Sequence, residues 1–211
     1  QMRTRLREFL IAASRQSRSE MRSSMKIGIL AVQGAFAEHE QMLEQLGAEY
    51  IELRKGEDVR QSYDGLILPG GESTVQGKLM RELDMFDTIQ SQIKNGMPVL
   101  ATCAGAILLA QQLSNDAATH LATLPAVVRR NAYGRQLGSF SVDEQIEGIG
   151  TFPMRFIRAP YIEKVLDDTK VLAKVDGNIV MVENKNQLAM SFHPELTSDT
   201  RIHEMFLKKI Q

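Results

Sequence analysis

The amino-acid sequence predicts a single α/β domain in which a mostly parallel sheet carries helices on both faces. Short apolar runs without polar alternation, the pattern of strands buried on both faces, recur at intervals long enough for one helix. The segments between them place apolar residues at helical spacing. A chain of 211 residues with 43% hydrophobic content is also long enough to bury a substantial core in one domain.

Strand and helix alternate in the first half of the chain. Apolar strands are predicted at residues 26–32, 49–53, 64–68 and from 98 onward, with helices at 35–46 and 72–93. The helix over 35–46 has residues at helical spacing on one face, at Phe36, His39, Met42, Leu43 and Leu46. Polar or glycine-rich loops follow three of these strands. In parallel sheets, functional groups collect at such carboxyl ends of strands.

The second half of the chain is richer in strands. They are predicted at 126–130, 154–158, 170–175, 179–183 and 187–192, before a last helix at 199–210. Asp176-Gly177 is a hairpin signal between two of them, so some strands in this half are antiparallel. The order of elements predicts a single flavodoxin-like, three-layer α/β domain over residues 25–211.

The first 24 residues differ in character from the rest of the chain. They contain six arginines and two glutamates and are rich in serine. Because Met25 opens a clean strand, we expect it to be the natural start and residues 1–24 to be a basic leader outside the fold. Leu6, Phe9 and Leu10 lie at helical spacing, which is typical of an amphipathic helix. An organelle transit peptide is the alternative for this segment.

Composition excludes several classes of function. A formal net charge of −1 gives no electrostatic basis for binding nucleic acid or an anionic membrane surface. No apolar run approaches the roughly 20 residues that span a bilayer. The single cysteine excludes an intrachain disulfide and fits a reducing, cytoplasmic location. Neither metal-ligand spacing nor a nucleotide-binding loop is present, so we expect no metal and no other cofactor.

The single cysteine lies in a segment that is typical of a strand, a tight turn and an apolar helix, residues 98–110. Ala101, Ala104 and Gly105 are small and let strand and helix come close, while Cys103 projects from the turn as in a nucleophile elbow. At a helix N-terminus, the helix dipole and the free N–H groups favour a thiolate. An inert buried cysteine is the alternative.

A histidine and a carboxylate stand at the end of the last predicted strand. Pro194 cannot donate to a sheet, so His193 and Glu195 lie on an abrupt bend. A carboxylate in this position can accept one imidazole N–H and fix the tautomer, while the other ring nitrogen faces a thiol. Together with the elbow, this bend predicts nucleophilic catalysis by Cys103 with His193 and Glu195 as its partners.

A glycine pair, Gly70-Gly71, follows the third predicted strand. Attack of a thiolate on a carbonyl produces an oxyanion, which backbone N–H groups outside the sheet can stabilise. Glycines let the backbone approach a substrate closely, and the N–H of Ala104, beside the cysteine, is the natural second donor. The polar residues Glu72 and Ser73 come directly after the pair, where a simple turn would not need them.

Six segments together resemble the glutaminase subunits of pyridoxal 5′-phosphate synthases, a family of class I glutamine amidotransferases. They are Gln33-Gly34, Leu-Pro-Gly-Gly-Glu-Ser-Thr at 68–74, Thr-Cys-Ala-Gly at 102–105, Arg-Asn-Ala-Tyr-Gly-Arg-Gln at 130–136, Phe-Ile-Arg-Ala-Pro at 156–160 and Ser-Phe-His-Pro-Glu-Leu at 191–196. The resemblance extends from Met25 to the end of the chain. This sequence departs from the family pattern at Ala101, where glycine is usual, and at Ala106, where a larger aliphatic residue is usual.

The resemblance implies that Cys103, His193 and Glu195 form a catalytic triad. It implies that the glutamine pocket, next to the oxyanion donors Gly70 and Ala104, is lined by Gly71, Glu72, Ser73, Arg130, Ile157 and Arg158. The two arginines would bind the α-carboxylate of glutamine. It further implies that L-glutamine is hydrolysed to glutamate and ammonia through a cysteinyl thioester. The ammonia would pass to the pyridoxal 5′-phosphate synthase subunit within a large hetero-oligomer.

Two other functions stay open at this point. The ammonia could serve another acceptor, such as the synthesis of imidazole glycerol phosphate. Outside enzymes, the same core could be a noncatalytic cysteine-elbow scaffold or redox sensor. The other three histidines, His39, His120 and His203, are isolated in the sequence and are interpreted as surface or helix-cap residues.

Overall fold

The structure is a computed structural model that describes residues 2–130 and 138–210. Its helices are α1 Met2–Ser24, α2 Phe36–Gln45, α3 Gly56–Val59, α4 Ser73–Glu82, α5 Phe86–Lys94, α6 Ala104–Leu109 and α7 Arg201–Lys208, with a one-turn 3-10 helix at Pro194–Leu196. Its strands are β1 Lys26–Leu30, β2 Glu49–Leu53, β3 Gly65–Leu68, β4 Val99–Thr102, β5 Ala110–Leu113, β6 Leu124–Arg129, β7 Ser139–Ile146, β8 Gly150–Ile157, β9 Tyr161–Val165, β10 Lys170–Val175, β11 Asn178–Asn184 and β12 Gln187–Met190.

Ten strands form the central sheet, in the order β2-β1-β3-β4-β12-β11-β9-β6-β5, with β10 paired to β11. The five strands from β2 to β12 run parallel to one another. Antiparallel pairs follow between β12 and β11, β11 and β9, and β9 and β6. The predicted α/β class is confirmed, with its mostly parallel first half and its antiparallel members in the second half. The Asp176-Gly177 turn joins the antiparallel pair β10 and β11 as predicted.

The two faces of the sheet bury separate apolar layers. One face packs against α3 to α6, with Leu66, Leu68 and Ala101 among its buried strand residues. The other face packs against α2, α7 and the two-stranded sheet of β7 and β8, with Ile67 and Leu100 among its buried strand residues. Since neighbouring residues on a strand point to opposite faces, the uninterrupted apolar runs supply both layers at once.

Strands β4 and β12 are neighbours although they lie far apart in the sequence. Their parallel register pairs Ala101 with Ala189 and Thr102 with Met190. The backbone N–H of Cys103 extends the ladder by donating to Met190 O at 2.9 Å. The chain segments that follow β4 and β12 therefore emerge side by side at the same edge of the sheet.

Some predicted elements need correction. The helical region over 72–93 is two helices, α4 and α5, because Asp84 between them has a positive φ of 57° that a continuous helix excludes. Strands β5, β7 and β9 were not predicted. Strand β7 alternates exposed and partly buried residues instead of forming an apolar run, because one of its faces meets solvent.

The leader forms the 23-residue helix α1, and none of its residues is buried. Arg22 Nη2 contacts Glu204 Oε1 of α7 at 3.2 Å, and Met25 N–H donates to Arg22 O. The amphipathic spacing thus corresponds to a helix, while the assignment of residues 1–24 to a segment outside the fold stays a prediction. Within the part of the chain that the structure describes, no helix is both long enough and apolar enough to cross a membrane.

Candidate active site

Cys103 lies on a strained turn between β4 and α6. Its φ of 50° and ψ of −107° are unusual for any residue other than glycine, and such strain is typical of a nucleophile elbow. The turn is tight because α6 packs directly on β3. A β-carbon at Gly105 would come within 2.1 Å of Leu68 O, so only glycine fits there. Cys103 is 7% exposed, and its Sγ lies 3.9 Å from Ile157 O.

His193 and Glu195 occupy the bend that follows β12. The backbone N–H of His193 donates to Arg155 O of β8 at 2.8 Å, and Pro194 begins the one-turn helix directly afterwards. The Nδ1 of His193 lies 2.5 Å from Glu195 Oε1, and both side chains are buried. Nδ1 therefore carries the proton that Glu195 accepts, which leaves Nε2 for the cysteine.

The charge state of His193 depends on its two neighbours. Burial disfavours the charged imidazole, but Cys103 and the Glu195 carboxylate outweigh it and raise the pKa of His193 to about 10. His193 is therefore protonated on both ring nitrogens near neutral pH.

The Gly70-Gly71 loop lies over Cys103 and His193. Hydrogen bonds from the backbone and from a side chain of the first half of the chain hold it in place. Gly70 O accepts from Ala35 N–H at 3.0 Å. The amide of Gln76 donates to Gln33 O at 3.1 Å and to Pro69 O at 3.2 Å. Among the described residues no acceptor is found for the N–H of Gly71 or of Ala104. Two backbone donors are thus available beside Cys103.

A cavity of about 420 Å³ opens above the cysteine. Ten of the eleven residues singled out in the sequence line it: Gly70, Gly71, Glu72, Ser73, Cys103, Ala104, Arg130, Ile157, Arg158 and His193. The eleventh, Glu195, lies behind His193 and is 5% exposed. The cavity is completed by four residues that sequence reasoning did not identify, Ala35, Ile107, Pro160 and Leu196. The Gly70-Gly71 loop, Cys103 and His193 meet because they follow the neighbouring strands β3, β4 and β12, whereas the residues at 130 and 157–158 come from the ends of β6 and of β8 in the two-stranded sheet.

The two arginines of the cavity differ in their surroundings. The guanidinium of Arg130 contacts Glu72 Oε1 at 3.4 Å, Asp116 Oδ2 at 3.1 Å and Thr74 Oγ1 at 3.1 Å. Arg158 is exposed and has a positive φ of 44°. The rest of the segment that begins at Arg130, residues 131–137, lies outside the described residues, so the part of the resemblance at 131–136 is not described.

The interpretation of two other histidines was wrong. His39 of α2 and His203 of α7 are both 0% exposed and lie against each other, with Nδ1 of His39 2.8 Å from Nε2 of His203. The signal for His39 was present in the sequence, since it shares the helical spacing of the buried apolar residues around it. His120 is partly buried, so it is neither a core residue nor a fully exposed one.

Metal ligands do not cluster in the described part of the chain, where no group of three or more histidine, cysteine, aspartate or glutamate side chains could hold an ion. The site itself combines a thiol, an imidazole and a carboxylate with backbone N–H donors. This set is suited to acyl transfer, in which a carbonyl carbon is attacked and a leaving group is protonated.

Comparison with solved structures identifies the class of protein. A crystal structure described as that of a glutamine amidotransferase matches with a TM-score of 0.83 and 43% identity, over 87% of this chain and 98% of that one. The structure of PurLQS from Thermotoga maritima matches with a TM-score of 0.61 at 18% identity, over 89% of this chain and 99% of that one, which shows a shared fold alone. The fold and the cysteine elbow define a glutamine amidotransferase.

The chain belongs to the SNO glutamine amidotransferase family, whose model matches residues 29–211. One relative, the pyridoxal 5′-phosphate synthase subunit PdxT of Desulfitobacterium hafniense (strain DSM 10664 / DCB-2), is 63% identical over 186 residues, covering 88% of this chain and 94% of the relative. The subunit of the same name from Streptococcus pneumoniae (strain CGSP14) is 52% identical over 187 residues, covering 87% and 96%. The resemblance found in the sequence motifs is confirmed.

Proposed function

We propose that this chain is the glutaminase subunit of a pyridoxal 5′-phosphate synthase, which hydrolyses L-glutamine and supplies ammonia to a separate synthase subunit. The observation that carries the proposal is the convergence of Cys103, His193 and the Gly70-Gly71 loop on one cavity. Glu195 accepts a hydrogen bond from the imidazole. The family and the names of its relatives support the acceptor reaction.

In the first half of the proposed reaction, the thiolate of Cys103 attacks the side-chain amide carbon of glutamine. The carbonyl oxygen becomes an oxyanion, which N–H groups of the Gly70-Gly71 segment and of Ala104 stabilise. His193 then gives its Nε2 proton to the amide nitrogen, the carbon–nitrogen bond breaks and ammonia leaves. A glutamyl thioester on Cys103 remains.

In the second half, His193 is neutral and its Nε2 carries no proton. Nε2 accepts a proton from water as the water oxygen attacks the thioester. The same backbone donors stabilise the second oxyanion. The carbon–sulfur bond breaks, glutamate leaves and Cys103 returns to the thiolate beside a protonated His193. Glu195 keeps the imidazole in one orientation through both halves.

The charged residues of the cavity suit the α-amino acid end of glutamine. Arg130 and Arg158 supply cations for the α-carboxylate, and the planar guanidinium of an arginine can bind both carboxylate oxygens. Glu72 lines the same cavity and supplies the opposite charge for the α-ammonium group. Ser73 Oγ is buried without a hydrogen-bond partner among the described residues, and a substrate in the cavity would provide one.

Ammonia release and covalent capture together test the proposal. Glutamate formation is measured with the chain alone and with the synthase subunit, and an electrophilic glutamine analogue is used to label the protein. We expect weak activity alone, higher activity with the synthase subunit, and labelling that is lost in Cys103→Ala and reduced in His193→Ala. Absence of both glutamate and label from the wild-type mixture would contradict the glutaminase and favour a noncatalytic scaffold.

The proposal also covers the assembly and the location of the protein. We include in the proposal a large hetero-oligomer with the synthase subunit and a cytoplasmic location, because a reactive thiol requires a reducing compartment. Nucleic acid, membranes and cofactors have no part in it.

The identity of the acceptor is tested separately. Expression of the chain with the synthase subunit is expected to restore growth of a vitamin B6 auxotroph. Rescue of a histidine auxotroph that lacks its own glutaminase would instead indicate imidazole glycerol phosphate synthesis.

A further inference from the structure

The carboxylate of Glu195 uses one of its oxygens for His193 and buries the other. Its Oε2 has no hydrogen-bond partner among the described residues, although the side chain is 0% exposed. One further basic side chain in the described chain lies within 4.0 Å of this carboxylate, that of His39, whose Nε2 is 3.6 Å from Oε2. That separation is longer than a hydrogen bond but short enough for a strong interaction between an N–H dipole and a charge in a water-excluded site.

The ring of His39 is held on both sides. Its Nδ1 lies 2.8 Å from Nε2 of His203, and its Nε2 lies 3.3 Å from the hydroxyl oxygen of Thr102, the residue before the cysteine. The rings of the two histidines are tilted by 49° with their centroids 5.1 Å apart. His39 thus connects α7 to the carboxylate behind the nucleophile and its base.

Both histidines are neutral near pH 7. Burial, followed by the neighbouring His203 and His193, lowers the pKa of His39 well below its ordinary value of 6.5. Burial lowers the pKa of His203 to about 4. Each ring therefore carries one proton, and the short contact between them requires one to donate and the other to accept.

Only one of the two possible tautomer arrangements fits the surroundings. If His39 donated through Nδ1, its Nε2 lone pair would face the Glu195 carboxylate, and His203 would bury an N–H at Nδ1 without an acceptor. If His203 donates through Nε2, the proton of His39 is on Nε2 and points towards Glu195 and Thr102. In this second arrangement the partnerless Nδ1 of His203 is a lone pair and no buried N–H is left unpaired.

We propose that His39 is a positioning residue for the Glu195 carboxylate, with its tautomer set by His203. The inference rests on the proposed glutaminase function. His39 presents an N–H to the buried second oxygen of Glu195, which holds the carboxylate in the rotamer that bonds His193. The neutral pair adds no positive charge that would compete with His193 for the same carboxylate.

Substitutions that keep or remove single ring nitrogens test this role. Glutamine places an amide N–H where Nε2 of histidine was, whereas methionine has a similar volume and no donor. We expect His39→Met to lower kcat for glutamine hydrolysis about 10-fold or more, as for loss of an interaction with a charged group, with KM changed by less than about twofold. His39→Gln is expected to restore kcat to within about threefold of the wild type.

Measurements are made on the complex with the synthase subunit, with thermal unfolding of each variant. Met42→Ala, on the same buried face of α2, is the structural control and is expected to lower stability with little change in kcat. Labelling of Cys103 by an electrophilic glutamine analogue tests the glutaminase itself. If wild-type protein is neither active nor labelled, the proposed function fails, whereas an active wild type with kcat unchanged in His39→Met overturns the positioning role alone.

A second pair of variants keeps the test decisive if His39→Met does not fold. His203→Met removes the donor that sets the tautomer of His39, while His203→Gln retains an amide N–H at the same place. We expect kcat to fall in His203→Met and to stay near wild type in His203→Gln. Equal values of kcat in the two His203 variants, or equal losses in the two His39 variants, would contradict the proposal.

Discussion

The ring of His193 lies against the α-carbon of Gly70. A β-carbon at position 70 would come within 2.3 Å of His193 Cε1 and 3.4 Å of Cys103 Cβ. The glycine loop therefore has a steric role in addition to its backbone donors, because it leaves the space that the imidazole occupies between loop and cysteine. A side chain at this position would have to displace the proposed base.

We predict that Gly70→Ala lowers kcat/KM about 100-fold, since a displacement of about 1 Å of a reacting group has this effect. Steady-state glutaminase assays with the synthase subunit measure it. Gly138→Ala is the matched control, because no atom of the described residues lies within 4 Å of a β-carbon placed there. Near-normal kcat/KM in Gly70→Ala would show that the loop moves away and does not restrain His193.

The close packing of α6 on β3 predicts a different defect for Gly105→Ala. The new β-carbon would lie 2.1 Å from the carbonyl oxygen of Leu68, which is backbone and cannot rotate away. We expect a loss of about 1–3 kcal/mol in the free energy of unfolding, measured by urea denaturation. Unchanged stability relative to the wild type would mean that the elbow tolerates a wider separation of helix and strand.

The sequence was most informative where polar residues directly follow apolar strands. Cys103 and His193 could be assigned to one site because parallel strands place their carboxyl ends at one edge, although the pairing of β4 with β12 was not visible. Strand β7 was missed because its alternation faces solvent on one side. The helical spacing of His39 did indicate its burial, but its contact with His203 could not be predicted, because the two residues lie 164 positions apart and no local pattern records the contact.

Arg130 is predicted to act on substrate binding more than on the chemical step. Arg130→Lys keeps the charge but loses the planar pair of donors that suits a carboxylate. We expect KM for glutamine to rise about 10-fold with kcat within about twofold, because the α-carboxylate is remote from the bond that breaks. Arg129→Lys, an exposed neighbour at the end of β6, is the control. A fall in kcat at unchanged KM would place Arg130 in the chemical step instead.

The buried histidine pair predicts that stability falls in acid. The pKa of His203 is about 4 in the folded chain and 6.5 is its ordinary value, so between these values the unfolded chain binds more protons than the folded one. Stability is therefore lost as pH falls from about 6.5 towards about 4. His39, whose pKa is also lowered, changes stability in the same direction.

Urea denaturation at about pH 6.5 and about pH 4.5 measures this effect. For His203 alone the expected loss over this range is about 2 kcal/mol. His203→Gln removes the titrating group and keeps the N–H towards His39, so it should lose about 2 kcal/mol less than the wild type.

His193, whose pKa is raised to about 10, stays protonated throughout this range and contributes equally in both proteins. His120→Gln is the control at a partly buried histidine and should change the acid loss by less. An equal loss in wild type and His203→Gln would mean that burial does not lower the pKa of His203 in the folded protein, because the folded and the unfolded chain would then bind protons at this residue equally.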